Sequence, residues 1–363
     1  MANIALNGLN YMQGFMTYFM FQQALMSDSP LNAIVYQGLI TDLNPKRTIT
    51  TYQVRDMFPT FGDACSPNEV GSLGSENIAI ERRAFPTTSE IDVCAFKDTA
   101  MFAALVKQAG ANTDLNTLFA GTEFVSQLTT NARRNYGFHM TAKRWFADLS
   151  GTNTNAFKGM FVDMNGHYTN AKNSSDTKKV TVSGVNSAFA AGAALTTFQN
   201  MIAAKSSVAF GQREVMIIGQ YFAKSLRADL VAANTQALGF MLASDTALEN
   251  YLFASFGVPV RIDKWLDTYY MMSLQTTTPT PNRDGSYDSL LVNKYPKIAI
   301  LGRVATTEQD SVFLEDWGMG MGTDPAYYLR DYKDKERDGL QLKMRTEIGT
   351  GLLNDSAAVI TVV

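Results

Sequence analysis

His139 and His167, Cys65 and Cys94, and an Asp- and Asn-bearing turn at residues 282–288 are where residue type and spacing could support chemistry. A structural zinc takes four ligands and a catalytic zinc usually three. Neither histidine has Cys, His, Asp or Glu partners at such spacing, so both read as ordinary polar histidines. The stretch Asn282-Arg283-Asp284-Gly285-Ser286-Tyr287-Asp288 begins like a calcium loop. It lacks the closing glutamate and the flanking helices, and reads as a polar turn. Gly318, Gly320 and Gly322 alternate in WGMGMGTD, but no strand-turn-helix unit surrounds them as a dinucleotide fingerprint requires. They read as a flexible connection. No GxSxG nucleophile elbow is present. The sequence thus assigns no catalytic, cofactor-binding or metal-ligating residue, and the chain does not read as an enzyme.

A different kind of chemistry is offered by Arg330 to Glu347, where both signs alternate through Arg330, Asp331, Lys333, Asp334, Lys335, Glu336, Arg337, Asp338, Lys343, Arg345 and Glu347. Such a run is either a solvated face, whose exposed pairs contribute ~0–1 kcal/mol each, or a set of pairs that fixes register between subunits. Arg82 and Arg83, together with Lys335, Glu336, Arg337 and Asp338, are the candidate inter-subunit contacts.

Composition narrows the class. At 363 residues the chain holds one large domain or two to three joined ones. Its 46% hydrophobic and 18% charged residues can build a sizeable core and leave apolar surface for contacts. A formal net charge of -3 argues against gripping nucleic acid through phosphates over the whole surface. Two cysteines make no disulfide framework and read as reduced thiols of a bacterial-type cytoplasm. Met1 to Met26 is rich in Met, Phe and Tyr, but has no basic start and is interrupted by Asn7, Asn10, Gln13, Gln22 and Gln23. It is therefore neither a secretory signal nor a membrane span. It reads either as an apolar arm lying on a neighbouring subunit or as a helix packed on its own core.

The elements that would position these groups form a mixed α+β pattern without strict βαβ alternation. Arg47 to Asp56 reads as a strand, Phe58 to Gly74 as a loop, and Glu76 to Phe96 as a second extended segment broken at Phe85-Pro86. Together they predict a long hairpin poor in core residues, weak alone and stabilised by lying on a partner. Thr122 to Ser150 predicts a ~40 Å helix, stopped by Gly151, with Ala142, Trp145 and Phe146 on its apolar stripe and Arg133, Arg134, Lys143 and Arg144 elsewhere on the surface. Further on, strands are expected at Lys178–Ser183, Arg213–Gly219, Val258–Asp263, Lys297–Gly302, Ser311–Glu315, Leu340–Thr346 and Ala357–Val363. Helices are expected at Asn186–Ser206, Gln220–Val231 and Thr246–Phe256, and a polar loop at Thr276–Asp288.

Several stretches resemble the tailed-phage major capsid protein family with the Hong Kong 97 fold. They are WFADLSGTNTNAFKGMF (Trp145 to Phe161), TTFQNMIAAKSSVAFGQREVMIIGQYFAKSLRADL (Thr196 to Leu230), FGVPVRID (Phe256 to Asp263), YYLRDYKDKERDGLQLKMRTEIG (Tyr327 to Gly349) and the ending AAVITVV. The resemblance rests on order and texture along nearly the whole chain. It implies an N-terminal arm over 1–46, an extended loop over 47–97, and a peripheral domain over 98–207 with the spine helix 122–150. An axial domain would follow over 208–325, and 326–363 would return to the peripheral sheet.

The function so implied is a structural one: self-assembly into hexamers and pentamers of an icosahedral head enclosing double-stranded DNA. Portal, scaffolding and decoration proteins would be its partners, with no membrane involved. Assembly would take place in the host bacterial cytoplasm, and the virion capsid would be its final location. Some family members cross-link a loop lysine to an asparagine. Here no lysine lies between Arg47 and Phe96, and Lys46 and Lys97 stand at the loop's feet, so noncovalent clamping is expected. The arm begins within ~50 residues of the loop, so any scaffold is expected to be a separate protein, terminal arms being free to carry such roles. An encapsulin-like nanocompartment shell is the alternative within this fold; a hydrolase of unfamiliar α+β fold is the alternative outside it.

Overall fold

The computed structural model describes residues 30–40, 46–55, 72–81, 83–92, 138–147, 159, 178–205, 213–233, 242–275, 279–280, 282, 287–308, 311–318, 328–334, 337–354 and 357–362. Five short strands make a central sheet: β5 (Lys178–Thr181), β6 (Glu214–Gly219), β7 (Val260–Asp263), β8 (Ala299–Arg303) and β12 (Ala358–Val362). Their order is β5-β12-β8-β6-β7. β7 runs parallel to β6, and β5 parallel to β12, while β8 is antiparallel to both β6 and β12.

Alternation along these strands feeds two separate cores. Val215, Ile217, Ile300, Ala358 and Ile360 face one side. Met216, Ile218, Ala299, Leu301 and Val359 face the other. A strand covered on both faces reads as a continuous apolar run, which is why Glu214–Gly219 was legible as buried. The second face is covered by α2 (Ala193–Ala204), α3 (Gln220–Ala233) and α4 (Asp245–Phe256), through Phe198, Phe222, Leu226 and Leu252. The first is covered by helix α1 (residues 138–146), α5 (Leu266–Ser273) and a 3-10 turn at Pro30–Ile34, through Trp145, Phe146, Leu266 and Ile34. Each such side chain, taken from water, contributes roughly 1.5–3 kcal/mol before entropy is counted.

The helix ends follow local chemistry. Ser244 accepts a hydrogen bond from the Ala247 amide at 3.1 Å and starts α4. Gly257, with φ 72, donates to the Phe253 carbonyl at 2.9 Å and ends it. The outer edge of β7 is closed by α4: the Ile262 amide donates to Glu249 Oε1 at 2.8 Å, which blunts the edge against pairing.

A second sheet is built differently. Its strands are β1 (Val35–Ile40), β4 (Arg83–Asp92), β9 (Phe313–Gly318), β10 (Tyr328–Asp334) and the sixteen-residue β11 (Arg337–Leu352). β11 would span ~54 Å at 3.4 Å per residue. One of its edges carries β10 against 337–343 and then β9 against 347–352; the other carries β4 against 339–348. β1 pairs parallel to β9. The remaining strands, β2 (Lys46–Arg55) and β3 (Ser72–Glu81), form an antiparallel hairpin from Lys46↔Glu81 to Arg55↔Ser72. Among the described residues they pair only with each other.

Several expectations need correction. The break at Phe85-Pro86 is absent: both residues pair with β11, as Phe85↔Thr346 and Pro86↔Arg345. β4 has no second partner among the described residues, and an edge strand tolerates proline's missing N–H. The helix expected from Asn186 begins only at Ala193. α1 stops at residue 146, not at Ser150, and the Ala147 carbonyl accepts instead from the Gly159 amide at 2.9 Å. The rest of the expected spine, 122–137, lies outside the described residues, as do Met1 to Ser29, Cys65, Cys94 and His167. Helix α5 and strand β1 were not anticipated, and β10 was covered only by the resemblance of Tyr327 to Gly349 to closing strands. In α5 six of eight residues are buried, including Asp267 and Thr268, so no amphipathic period marks it.

Candidate assembly interface

The second sheet carries those candidate contact residues that the structure describes, and the hairpin leads onto it. β2 and β3 are ten residues each, ~34 Å long at the strand rise. A two-stranded ribbon is marginal in water by itself. β3 ends at Glu81 and β4 begins at Arg83, so the return strand of the hairpin leads straight onto β11.

The candidate contact residues fall at two separate ends of this sheet. Arg83 pairs in register with Ile348, while Asp338 pairs with Lys333 and Arg337 with Asp334. Ten residues of β11 separate Asp338 from Ile348, ~34 Å along the strand. The fold therefore does not bring Arg83 together with Arg337 and Asp338. Arg82, Lys335 and Glu336 lie outside the described residues.

The root of the sheet is held by a buried ion pair. Arg144 was expected on the surface of its helix, yet Arg144 and Glu315 are both 0% exposed. Arg144 Nε donates to Glu315 Oε1 at 2.7 Å and Nη2 to Oε2 at 2.5 Å; Nη2 also reaches Asn32 Oδ1 at 3.3 Å. This fork ties α1, β9 and the Pro30–Ile34 turn at one point, and Glu315 in turn pairs with Thr350 of β11. Trp145 packs edge-on against Phe313 beside it. A guanidinium can be buried this deeply because a bidentate carboxylate meets its fork.

One buried carboxyl and one half-buried imidazole have shifted titration. Asp267 Oδ2 accepts from the Tyr221 amide at 2.7 Å at the start of α3, while Oδ1 has no hydrogen-bond partner among the described residues. Burial, opposed by that hydrogen bond and reinforced by the charge of Asp263, pushes the Asp267 carboxyl up to about 7. A Cβ at Gly219 would stand 1.9 Å from Asp267 Oδ1, so only glycine lets the carboxyl sit there. His139 Nε2 lies 2.8 Å from the Tyr287 hydroxyl. Burial first and Lys143 second lower the imidazole to about 4. Tyr287 also stacks on Phe138 at 4.8 Å, so the expected polar loop ends in a core aromatic.

Among the described residues no group of three Cys, His, Asp or Glu could hold a metal ion, and no helix is long and apolar enough to cross a membrane. The buried charges Arg144, Glu315, Asp267 and Lys297 escaped the sequence reading, because each meets a partner far away in the chain.

No protein-family model and no curated protein matches this chain. Solved structures do. A chain of Mycobacterium phage Ogopogo is 10% identical with a TM-score of 0.51, over 92% of this chain and 91% of that one. A chain from the capsid of Myoviridae phage XM1 is 9% identical with a TM-score of 0.47, over 89% of each. A chain of a virus-like particle from Pyrococcus furiosus is 10% identical with a TM-score of 0.44, over 98% and 99%. At such identities a likeness is one of fold, and this chain shares its fold with the Ogopogo chain, in agreement with the phage capsid fold that its sequence resembles.

Proposed function

We propose that this chain is the major subunit of a phage head. It would assemble with copies of itself, as hexamers and pentamers, into an icosahedral shell around double-stranded DNA. The observation that carries this reading is the fold shared along more than nine tenths of both chains with a mycobacteriophage chain. A physical argument supports it. A hairpin of two ten-residue strands that pair only with each other, among the described residues, gains most by lying on a neighbour. Closed symmetry then sums many modest contacts into a stable shell, and the arrangement needs no catalytic residue.

In this reading residues 47–97 are the loop that clamps a neighbour. Residues 98–207 form the peripheral domain, 208–325 the axial domain, and 326–363 the return. Portal, scaffolding and decoration proteins would complete the head in the bacterial cytoplasm. The near-neutral charge suits a wall that contains DNA without gripping its sequence.

The test is to express the chain alone and with the products of its neighbouring genes, then sediment and image the product. Closed shells of megadalton mass holding nucleic acid support the reading. Shells that hold protein cargo would convert it to a nanocompartment. A monomer under both conditions would reject it.

A further inference from the structure

Two buried carboxyls meet where β6 runs straight into α3. Gly219 closes β6 and Gln220 opens α3, with no residue between them. Gly219 pairs in register with Asp263, the last residue of β7. Four residues further on, Asp267 stands in the first turn of α5. Asp263 is 2% exposed and Asp267 3%. Each carboxyl holds the start of a helix. Asp263 Oδ1 accepts from the Trp265 amide at 2.9 Å, just ahead of α5. Asp267 Oδ2 accepts from the Tyr221 amide at 2.7 Å, and the Gln220 amide also bonds to this carboxyl. The first N–H groups of a helix have no partner within it, so a carboxylate is welcome there.

The surroundings oppose that preference. Asp267 Oδ1 is buried without a hydrogen-bond partner among the described residues, and no cation there forms a salt bridge with Asp267. The neighbouring charges do not supply one. Asp263, at the end of β7, has the same sign. Lys264 beyond it, Lys224 of α3 and Asp288 of the 3-10 turn Asp288–Leu291 are exposed. Glu214, at the far end of β6, is paired with Lys205. Arg144 of α1 is held by Glu315. Of the nearby phenols, Tyr221 accepts from the Phe189 amide, and Tyr269 is pushed up by burial and by Asp263, with Arg144 pulling it down. An unpaired carboxylate oxygen in such a place needs a positive charge. A Cβ on Gly219 would stand 1.9 Å from Oδ1, so the joint leaves no room on that side for a metal ion. A proton is the cation that fits, and Asp267 keeps one up to about 7.

We propose that Asp263 and Asp267 form a proton-dependent latch, which fastens the first turn of α3 to the start of α5 while Asp267 is protonated and weakens when that proton leaves. Such a latch works within the single subunit and does not depend on the shell reading. It gives the Asp267 carboxyl a local effect, the release of one helix start. Open to water, Asp267 gives up its proton near 3.8; in the closed latch it keeps it to about 7. Opening therefore releases one proton between those values. The open fraction should rise about tenfold per pH unit within the window and level off above it. Asp263 sets the upper end of the window. Without its charge the closed latch ionises more easily, and the levelling-off moves to lower pH.

The test is residue-resolved hydrogen exchange on the full-length subunit, with each rate divided by the intrinsic rate of a free amide at the same pH. In the parent, protection of the Gln220 and Tyr221 amides should fall about a hundredfold between about pH 5 and about pH 7, while Ile300 and Leu301 of β8 keep theirs. Asp267→Asn should abolish the fall, and Asp263→Asn should make it level off at lower pH. His139 titrates in the same window but stays in every variant, so it cannot account for a slope that Asp267→Asn removes. A parent profile without the fall would overturn the proposal, and so would a fall that survives in Asp267→Asn. Should Asp267→Asn fail to fold, Asp263→Asn decides: a profile identical to the parent's would overturn the latch.

Discussion

The central sheet and the hairpin that leads away from the second sheet are both made of β-strands, yet they obey different rules. Strands of the central sheet are four to six residues long; the inner ones, β6, β8 and β12, are buried on both faces, and helices or the Pro30–Ile34 turn cover them on each side. β2, β3 and β4 are ten residues each and read RTITTYQVR after Lys46, SLGSENIAIE, and RAFPTTSEID. Polar residues dominate them, and their register is kept by backbone ladders. The first region is stable by what it buries. The second, a two-stranded ribbon, is marginal by itself. Under the proposed shell reading this division would have a use: the subunit would fold first, and the ribbon would settle on a neighbour.

The comparison can be broken most forcefully where the central core meets the second sheet, from which the hairpin leaves. Arg144→Met strands the Glu315 carboxylate without its partner, and should lower subunit stability by ~3–5 kcal/mol in denaturant unfolding. Adding Glu315→Leu to it should restore most of that loss, because an apolar pair of similar size fits a buried site without desolvating charge. A single substitution with no effect would show that the joint is not held by this pair.

The buried carboxyl of the central region gives the next effect. Unfolded, Asp267 releases its proton near 3.8; folded, it keeps it to about 7. Between those values the folded state binds more protons, so this group's contribution to stability is lost as the pH rises through the window. His139, about 4 when folded and 6.5 when unfolded, works the other way, and its contribution is gained as the pH rises between them. Asp267→Asn keeps the shape but removes the first slope. Its stability relative to the parent should therefore improve by up to ~4 kcal/mol between about pH 4 and about pH 8. A difference independent of pH would show that Asp267 titrates normally.

The smallest effect belongs to the charged end of the second sheet. Exchanging Glu336 and Arg337 for residues of opposite sign should change subunit stability by less than ~1 kcal/mol. Light scattering should show slower assembly, while circular dichroism stays the same. Unchanged assembly rates would place these residues on a solvated face.

The two regions also differ in how far the sequence disclosed them. Arg213–Gly219 was legible as a buried strand, because packing on both faces demands an unbroken apolar run, and Ala357–Val363 as a strand. Thr246–Phe256 was legible because Gly257 ends it, while its start at Asp245, capped by Ser244, shows only in the structure. α5 was not, since a helix buried nearly all round shows no polar face, and Asp267 and Thr268 disguise what remains. Pro86 suggested a break because its lack of an N–H is read locally, whereas an edge position makes it harmless. Arg144 was assigned to the surface because its partner lies 171 residues away, and no periodicity shows such a pairing. The hairpin itself was read from β-branched strands flanking a Gly- and Pro-bearing stretch, but its candidate contacts, Arg83 and Asp338, proved to sit at distant points of one long ladder.

Hydrogen exchange on free subunits and on assembled particles tests the central claim most directly. The amides of 46–55 and 72–81 should exchange quickly in the free subunit and become protected on assembly, while those of 214–219 and 299–303 stay protected in both. Hairpin amides as protected in the free subunit as in the particle would contradict the account, because the ribbon would then need no neighbour.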